Sequence, residues 1–470
     1  MTIIDSAVDQ RRSLSIAALG TLLTLVAFTS PLATINSTAA TLGSDTAGKT
    51  WILSSMSIGL SAALLTTGTL ADDFGRRRTF VLGVLVLAFA SVVCAVSPNT
   101  LIFVLARVLQ GLGGAAVIAS SLGIIAHTHP AGPRRAHASG VWGASLGAGI
   151  ALGPLLVATL DRLATWRDAY WLVAVAGALL AVAAHRFVRE STSDTPRGLD
   201  PAGALLLAFG LSALLAALVE GRQGWVRPSP LILFAVSAVL LIVFVVVEYR
   251  SRAAMLDLKL FTQPAFVAAT VAAVVTGAGI IALMSFMSGF LGNAYNIDAL
   301  GAALLLFAWS ATSVVTALLA RRIPARVTGG VQLAAGLIGV AIGQLAMLGL
   351  SVDSTWLRLL PGLLFAGVAS GVLNAALGRE AVASVPAGRA GMGSGANNTA
   401  RYVGSAVGVT VVAVLAVPRG TSSPAALVEG WNSAVLFTSA VSVVGALVVL
   451  LCRERRTRAQ ADSRAGQIRS

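Results

Sequence analysis

The sequence predicts an all-α polytopic membrane protein of about fourteen transmembrane helices. Three observations predict it. Of 470 residues, 56% are hydrophobic and only 11% charged, with a mean hydropathy of +0.86; a soluble domain needs more charge to cover its surface. The apolar residues come in blocks of about twenty, the length a helix needs to cross the hydrocarbon core. The basic residues sit in the short segments between blocks, twenty-four in one alternate set with the tails and six in the other. The positive-inside rule places the richer set and both chain termini in the cytoplasm, which requires an even number of spans.

Taken in order, a cytoplasmic N-terminal tail (1–12) carries Arg11 and Arg12. The first apolar block follows. It is too long for a signal-peptide core and has no convincing cleavage site, so it reads as a retained span. The expected spans are 13–40, 51–71, 79–97, 101–125, 138–160, 169–188, 201–220, 231–249, 265–290, 298–320, 329–350, 357–378, 391–416 and 431–452. Each must be helical, because an open strand or loop in lipid leaves backbone groups unpaired. Trp51, Trp166, Trp171, Trp225, Trp356 and Trp431 fall near the expected outer interface, where indoles favour the headgroup level; Trp142 and Trp309 do not.

An internal echo divides the chain. PAGPRRAHASG (130–140) precedes span 5, and PAGRAGMGSG (386–395) precedes span 13. We read an N-terminal six-helix bundle (13–188), two inserted helices with their linkers (189–264), a C-terminal six-helix bundle (265–452) and a basic cytoplasmic tail (453–470). Such repeats place a substrate site between the halves at mid-membrane.

Other classes are set aside. The net charge of +14 forms no single stripe, so nucleic acid is not an expected partner. Cys94 and Cys452, near opposite chain ends, suggest neither disulfide nor metal site. His127, His129, His137 and His185 read as solvated residues near the cytoplasmic face. GASLG (143–147) fits a hydrolase pattern but lies in mid-span, without the strand-to-helix elbow that pattern requires. No cofactor, metal or enzymatic activity is expected, and any function resides inside the helix bundle.

Polar residues within and between the spans carry the function. In GTLADDFGRRRT (68–79), Gly68 permits close helix approach and Gly75 a tight turn. Asp72 can face the positive N-terminal end of a neighbouring helix, and Arg76 and Arg77 can latch onto partners in one conformation only. The loop resembles the signature loop of the major facilitator superfamily, with Asp73 where a basic residue is usual. Arg107 lies inside span 4 beside Gln110, and an intramembrane arginine marks a functional site unless it snorkels. That segment resembles the superfamily's span-4 motif, which implies a role for Arg107 in proton coupling. In span 5, Gly140, Gly149, Gly153 and Pro154 resemble the antiporter motif. Gly149 and Gly153 with Pro154 are the candidate gate, since Pro154 leaves a carbonyl free.

Span 13 carries NNTARYVGSAVG (397–408). It resembles the corresponding helix of the fourteen-span drug/proton antiporter branch, as does Trp166–Arg167. Asn397, Asn398 and Arg401 are cavity candidates, with a lipid headgroup as the other reading of Arg401. That branch has an Asp in span 1 where this chain has Pro31. Span 1 offers Thr29, Ser30, Thr34, Asn36, Ser37 and Thr38, neutral groups suited to a polar, uncharged substrate; Thr34, Asn36 and Gln110 join the cavity candidates. Asp298, at the outer start of span 10, either carries the coupling proton or caps its helix. The resemblance implies a multi-pass, monomeric protein of the plasma membrane, exporting amphipathic small molecules (drugs, antibiotics or metabolites) in exchange for protons. The alternative is a facilitator or importer of a polar small molecule.

Overall fold

The computed structural model describes residues 7–194, 196, 198, 200–222, 224–251, 254–324, 326–416 and 423–469, the last helix beyond Cys452 by its backbone alone. Residues 1–6 of the N-terminal tail, and Arg197, Arg252 and Arg419 of the charge count, lie outside the described residues, as do the side chains of the basic tail.

Fourteen long helices follow one another among the described residues. They are α1 (Ala7–Leu42), α2 (Thr46–Phe74), α3 (Arg76–Val96), α4 (Thr100–Thr128), α5 (Pro133–Leu163) and α6 (Arg167–Phe187); then α7 (Pro201–Gly221) and α8 (Pro228–Arg250). The rest are α9 (Pro264–Tyr295), α10 (Ala299–Leu319), α11 (Gly329–Leu345), α12 (Leu360–Ala383), α13 (Ala390–Ala416) and α14 (Pro424–Arg469). Thirteen are long and apolar enough to cross a membrane, and α11 is a shorter apolar helix. At 1.5 Å per residue α11 rises only about 26 Å, and turns over Ala346–Leu348 extend it.

The ends of these helices are written in short-range chemistry. Asp45, Asn99, Asp200 and Asp298 cap α2, α4, α7 and α10, accepting hydrogen bonds from the amides of Gly48, Ile102, Gly203 and Gly301 at 2.7–3.0 Å. Proline opens α5, α7, α8, α9 and α12, where its missing N–H costs nothing. Between α2 and α3 the chain turns on Gly75 alone, at φ 126°, a conformation that side chains rarely adopt. Arg167 closes the far end of α3, donating to the carbonyls of Ala95 and Ser97.

The packing repeats. In the first six helices α2 and α3 lie on α4, α1 on α5 and α3 on α6; in the last six α10 and α11 lie on α12, α9 on α13 and α11 on α14. The two sets meet where α2 packs against α13 and α5 against α10 and α12. Between them in the chain, α7 and α8 pack on each other, and Ser237 donates to the Gly210 carbonyl at 2.9 Å. α7 rests on α2, where Trp51 Nε1 donates to Glu220 Oε1 at 3.0 Å. α8 leaves most of its apolar surface outward.

Two expectations are corrected. Trp166 and Trp431 are buried packing residues, not interfacial anchors: Trp166 sits edge-on to Phe103 and Tyr170, and Trp431 stacks on Phe290. His129 is buried, with Nδ1 against Thr128 Oγ1 at 2.9 Å, and burial holds its ring below the usual imidazole range. The backbone after residue 452 continues α14 as helix through Arg469.

Candidate functional site

Two places bring the polar residues of the spans together, one at the basic end of the bundle and one at its centre.

At the basic end, α2 and α13 approach until their backbones touch. A side chain at Gly68 would strike the Gly391 carbonyl, and one at Gly395 the Leu64 carbonyl. This contact delivers the first turn of α13, with its unpaired amides, to the end of α2. Asp72 is fully buried there and accepts from Gly391 N at 3.1 Å and Met392 N at 2.9 Å. Arg76, across the Gly75 turn at the start of α3, donates to Asp72 Oδ1 from Nε at 3.1 Å and from Nη2 at 2.9 Å, and also to the Gly388 carbonyl at 2.9 Å. The Asp72 carboxylate is thus held by an arginine and by a positive helix terminus of the opposite set. Asp73 forms a second connection: Arg389 Nη1 donates to its Oδ1 at 2.5 Å, both side chains being almost wholly buried. Arg77 does not cross. It pairs at 3.8 Å with Glu190, which also accepts from the Arg77 and Arg78 amides and so caps α3.

At the centre, a cavity of about 80 Å³ lies between the two sets of six. α1 and α5 supply one wall, including Phe28, Thr29, Ile150 and Pro154; α9, α10, α12 and α13 supply the other, including Met284, Trp309, Ser370 and Arg401. Where α9 passes the cavity it widens into a π turn over Thr276–Ile281, with α13 packed against Gly277. Gln344 donates to the Gly279 carbonyl at 3.1 Å, taking up one of its backbone acceptors. A π turn within a long helix is common at functional sites. Sequence reasoning passed over it; the run Thr276-Gly277-Ala278-Gly279, poor in helix formers, was the available signal.

The candidates divide accordingly. Arg401 and Pro154 line the cavity. Gly149 and Gly153 turn away from it onto α1, meeting Leu22 and Leu25, and Val26 and Thr29. Asn397 and Asn398 spend their amide groups on the carbonyls of Ala269 and Ser394 at 3.0 Å. Thr34 donates to the Ser30 carbonyl at 3.3 Å, and exposed Asn36 accepts from Lys49 at 3.2 Å. Gln110 is fully buried between Arg107 and Ser91. None of these five lines the central cavity.

Arg107 is fully buried against α1, with Nη1 donating to the Ala27 carbonyl at 2.6 Å and Nη2 to the Phe28 carbonyl at 3.0 Å. The Ala27 carbonyl is available because its helical partner would be the amide of residue 31, and Pro31 has none. Pro31 thus provides Arg107 with a backbone acceptor where the related branch has a carboxylate. Asp298 stands at the end opposite the arginine-rich loops. It caps α10, pairs with Arg162 of α5 and is more than half exposed.

Two six-helix sets related by repeated packing, touching along α2–α13 and α5–α10 and enclosing an apolar cavity, define a class: a multi-pass membrane carrier that works by secondary transport. Residues 16–409 match the sequence profile of the Major Facilitator Superfamily, and the chain belongs to that family. It is 30% identical over 366 residues to "Multidrug resistance protein Stp" of Mycobacterium tuberculosis, covering 78% of this chain and 68% of the relative. It is 30% identical over 391 residues to "Probable actinorhodin transporter" of Streptomyces coelicolor, covering 80% and 67%. Its fold is similar to the proton:xylose symporter XylE, with a TM-score of 0.68 at 14% identity over 94% of this chain and 95% of that one.

Proposed function

We propose that the protein is a proton-driven exporter of amphipathic small molecules such as drugs, antibiotics or metabolites. The central cavity is the observation that carries this: mostly apolar, with a few polar groups and set between the two halves. A relative named for multidrug resistance supports the direction, and one named as a probable actinorhodin transporter supports the small-molecule cargo. The working cycle is a rocking of residues 13–188 against 265–452, with α7 and α8 riding on the first half. The Asp72–Arg76 cluster on the α13 terminus is the latch that closes the cytoplasmic side, with Gly68 and Gly75 giving it its close fit. The Gly149–Gly153 contact with α1 holds α5 at the cavity wall, and Pro154 leaves the Ile150 carbonyl unpaired within that wall.

Purified protein in liposomes with an imposed pH gradient, screened against fluorescent drugs and dyes, tests the reading. Gradient-dependent accumulation is expected; transport that only equilibrates substrate would make the protein a facilitator. We place the protein in the plasma membrane with both termini cytoplasmic, which the distribution of arginines supports. Reporter fusions at Ser193 and the C-terminus are expected to read cytoplasmic, and those at Asp45 and Pro228 outside. A fusion at Pro228 reading inside would overturn the placement of α7 and α8.

A further inference from the structure

We propose that the central cavity takes an amphipathic organic anion, with the charged group of the ligand seated on Arg401. This rests on the reading of the protein as a small-molecule carrier and names the class of molecule carried.

Arg401 is held in place by the backbone. At Gly277 the π turn of α9 comes so close to α13 that a Cβ would strike the Arg401 carbonyl and lie 2.5 Å from the Ser405 amide. The side chain is 6% exposed and lines the cavity. Its hydrogen bonding is thin: Nη2 donates to Asn374 Oδ1 at 3.3 Å, and Nε has no partner. A buried guanidinium is permanently charged and offers only donors. Three other buried guanidiniums are better provided for: Arg76 has Asp72 and the Gly388 carbonyl, Arg389 has Asp73, and Arg107, although its Nε also has no partner, has two carbonyls and a glutamine. Arg401 alone among these four faces the cavity, and among the described residues lining that cavity there is no carboxylate.

A second observation points the same way. Ser370, 2% exposed, lines the same cavity, and its hydroxyl has no partner. Two buried groups able to donate therefore converge on one space whose remaining wall is largely apolar. An uncompensated charge in such surroundings is costly, and the same low dielectric strengthens its attraction for an opposite charge. A cation would meet an unscreened like charge there. A neutral ligand would leave the guanidinium without a counter-charge. A carboxylate, sulfonate or phenolate on an apolar frame satisfies both donors, with Trp309 and Phe28 available to its body. Of the neutral groups of α1, Thr29 lines the cavity, but its hydroxyl already donates to the Leu25 carbonyl at 2.9 Å, and Thr34 and Asn36 lie away from the cavity.

Two dyes sharing a xanthene frame separate the cases: fluorescein, an anion, and rhodamine 6G, a cation. Equilibrium binding of each to the full chain in nanodiscs, read by anisotropy, needs neither gradient nor direction. Wild type is expected to bind fluorescein roughly tenfold or more tightly than rhodamine 6G, as a single buried charge contact allows. Arg401→Gln should remove most of that preference, and Arg401→Lys should keep it, since the point charge remains. If Arg401→Gln fails to fold, the wild-type ratio and Ser370→Ala, expected to weaken fluorescein alone, decide. Equal or stronger binding of rhodamine 6G, no binding of fluorescein, or an Arg401→Gln variant with unchanged preference would overturn the proposal. Failure of gradient-driven transport with the anion preference intact would overturn the exporter reading and leave this one standing.

Discussion

Asp72 shows how one carboxylate can bias a whole carrier. Its oxygens receive two amides from α13 and the Arg76 guanidinium, so its contacts span both halves. A hydrogen bond to a charged group contributes about 1.5–3 kcal/mol. Asp72→Asn keeps the shape and removes the charge. Loss of about 2 kcal/mol from one end state shifts a two-state equilibrium by about thirtyfold, so transport should fall by roughly tenfold or more with expression and membrane insertion intact. Near-normal uptake by the mutant would reduce the cluster to a packing contact. Asp298 is the opposite case. Asn caps a helix as well as Asp does, and the exposed pair with Arg162 is worth about 0–1 kcal/mol. Asp298→Asn should therefore concentrate substrate at close to the wild-type rate; loss of uphill transport with exchange preserved would make Asp298 the proton carrier after all.

At the scale of the element, α5 presents two glycine faces with different partners. Gly140, Gly143 and Gly147 meet α10 and α12 across the interface between halves, while Gly149 and Gly153 meet α1 within their own half. Small residues at such contacts let backbones approach where lipid supplies no hydrophobic drive for association. A side chain at Gly153 would strike Thr29 Oγ1, and Thr29 already bonds the Leu25 carbonyl at 2.9 Å and borders the cavity. Gly153→Leu should push α5 from α1, deform the cavity and lower transport by roughly tenfold or more, as a displacement of about 1 Å commonly does. Unchanged turnover would mean that the α1–α5 contact plays no part in the cycle. The same logic explains the π turn of α9: one residue is accommodated outside the regular ladder at the point where Gly277 and Gly408 bring α13 close.

For the whole molecule, the Asp73–Arg389 pair ties the end of α2 to the segment leading into α13. Asp73 breaks the charge pattern of the signature loop, and the structure supplies the complement in Arg389. Removing one partner of a buried pair costs about 3–5 kcal/mol, enough to unbalance a cycle. Asp73→Arg and Arg389→Asp should each depress transport, and the double charge swap should restore a substantial part of it. A double mutant no better than the worse single one would show that the pair does not act as a unit.

The sequence by itself determined the spans, their number and the family. Those follow from the length of apolar blocks, the side on which arginine accumulates, and the fixed spacing of Gly68, Asp72, Gly75 and Arg76 within a few turns of chain. Helix caps such as Asp45 and Asp298 were equally local. The tertiary structure decided which polar residues of the spans face the cavity. In a soluble helix the polar face marks the outside, but here lipid and protein core are alike apolar, so the pattern carries little record of rotation. Thr34 was a cavity candidate for its polarity, and Gln110, Asn397 and Asn398 also for the family motifs they lie in, yet packing turned them into backbone and arginine contacts. Arg401, from the same run as the two asparagines, was turned inward. That rotation is set by glycine contacts with α9, which bring together residues more than a hundred positions apart.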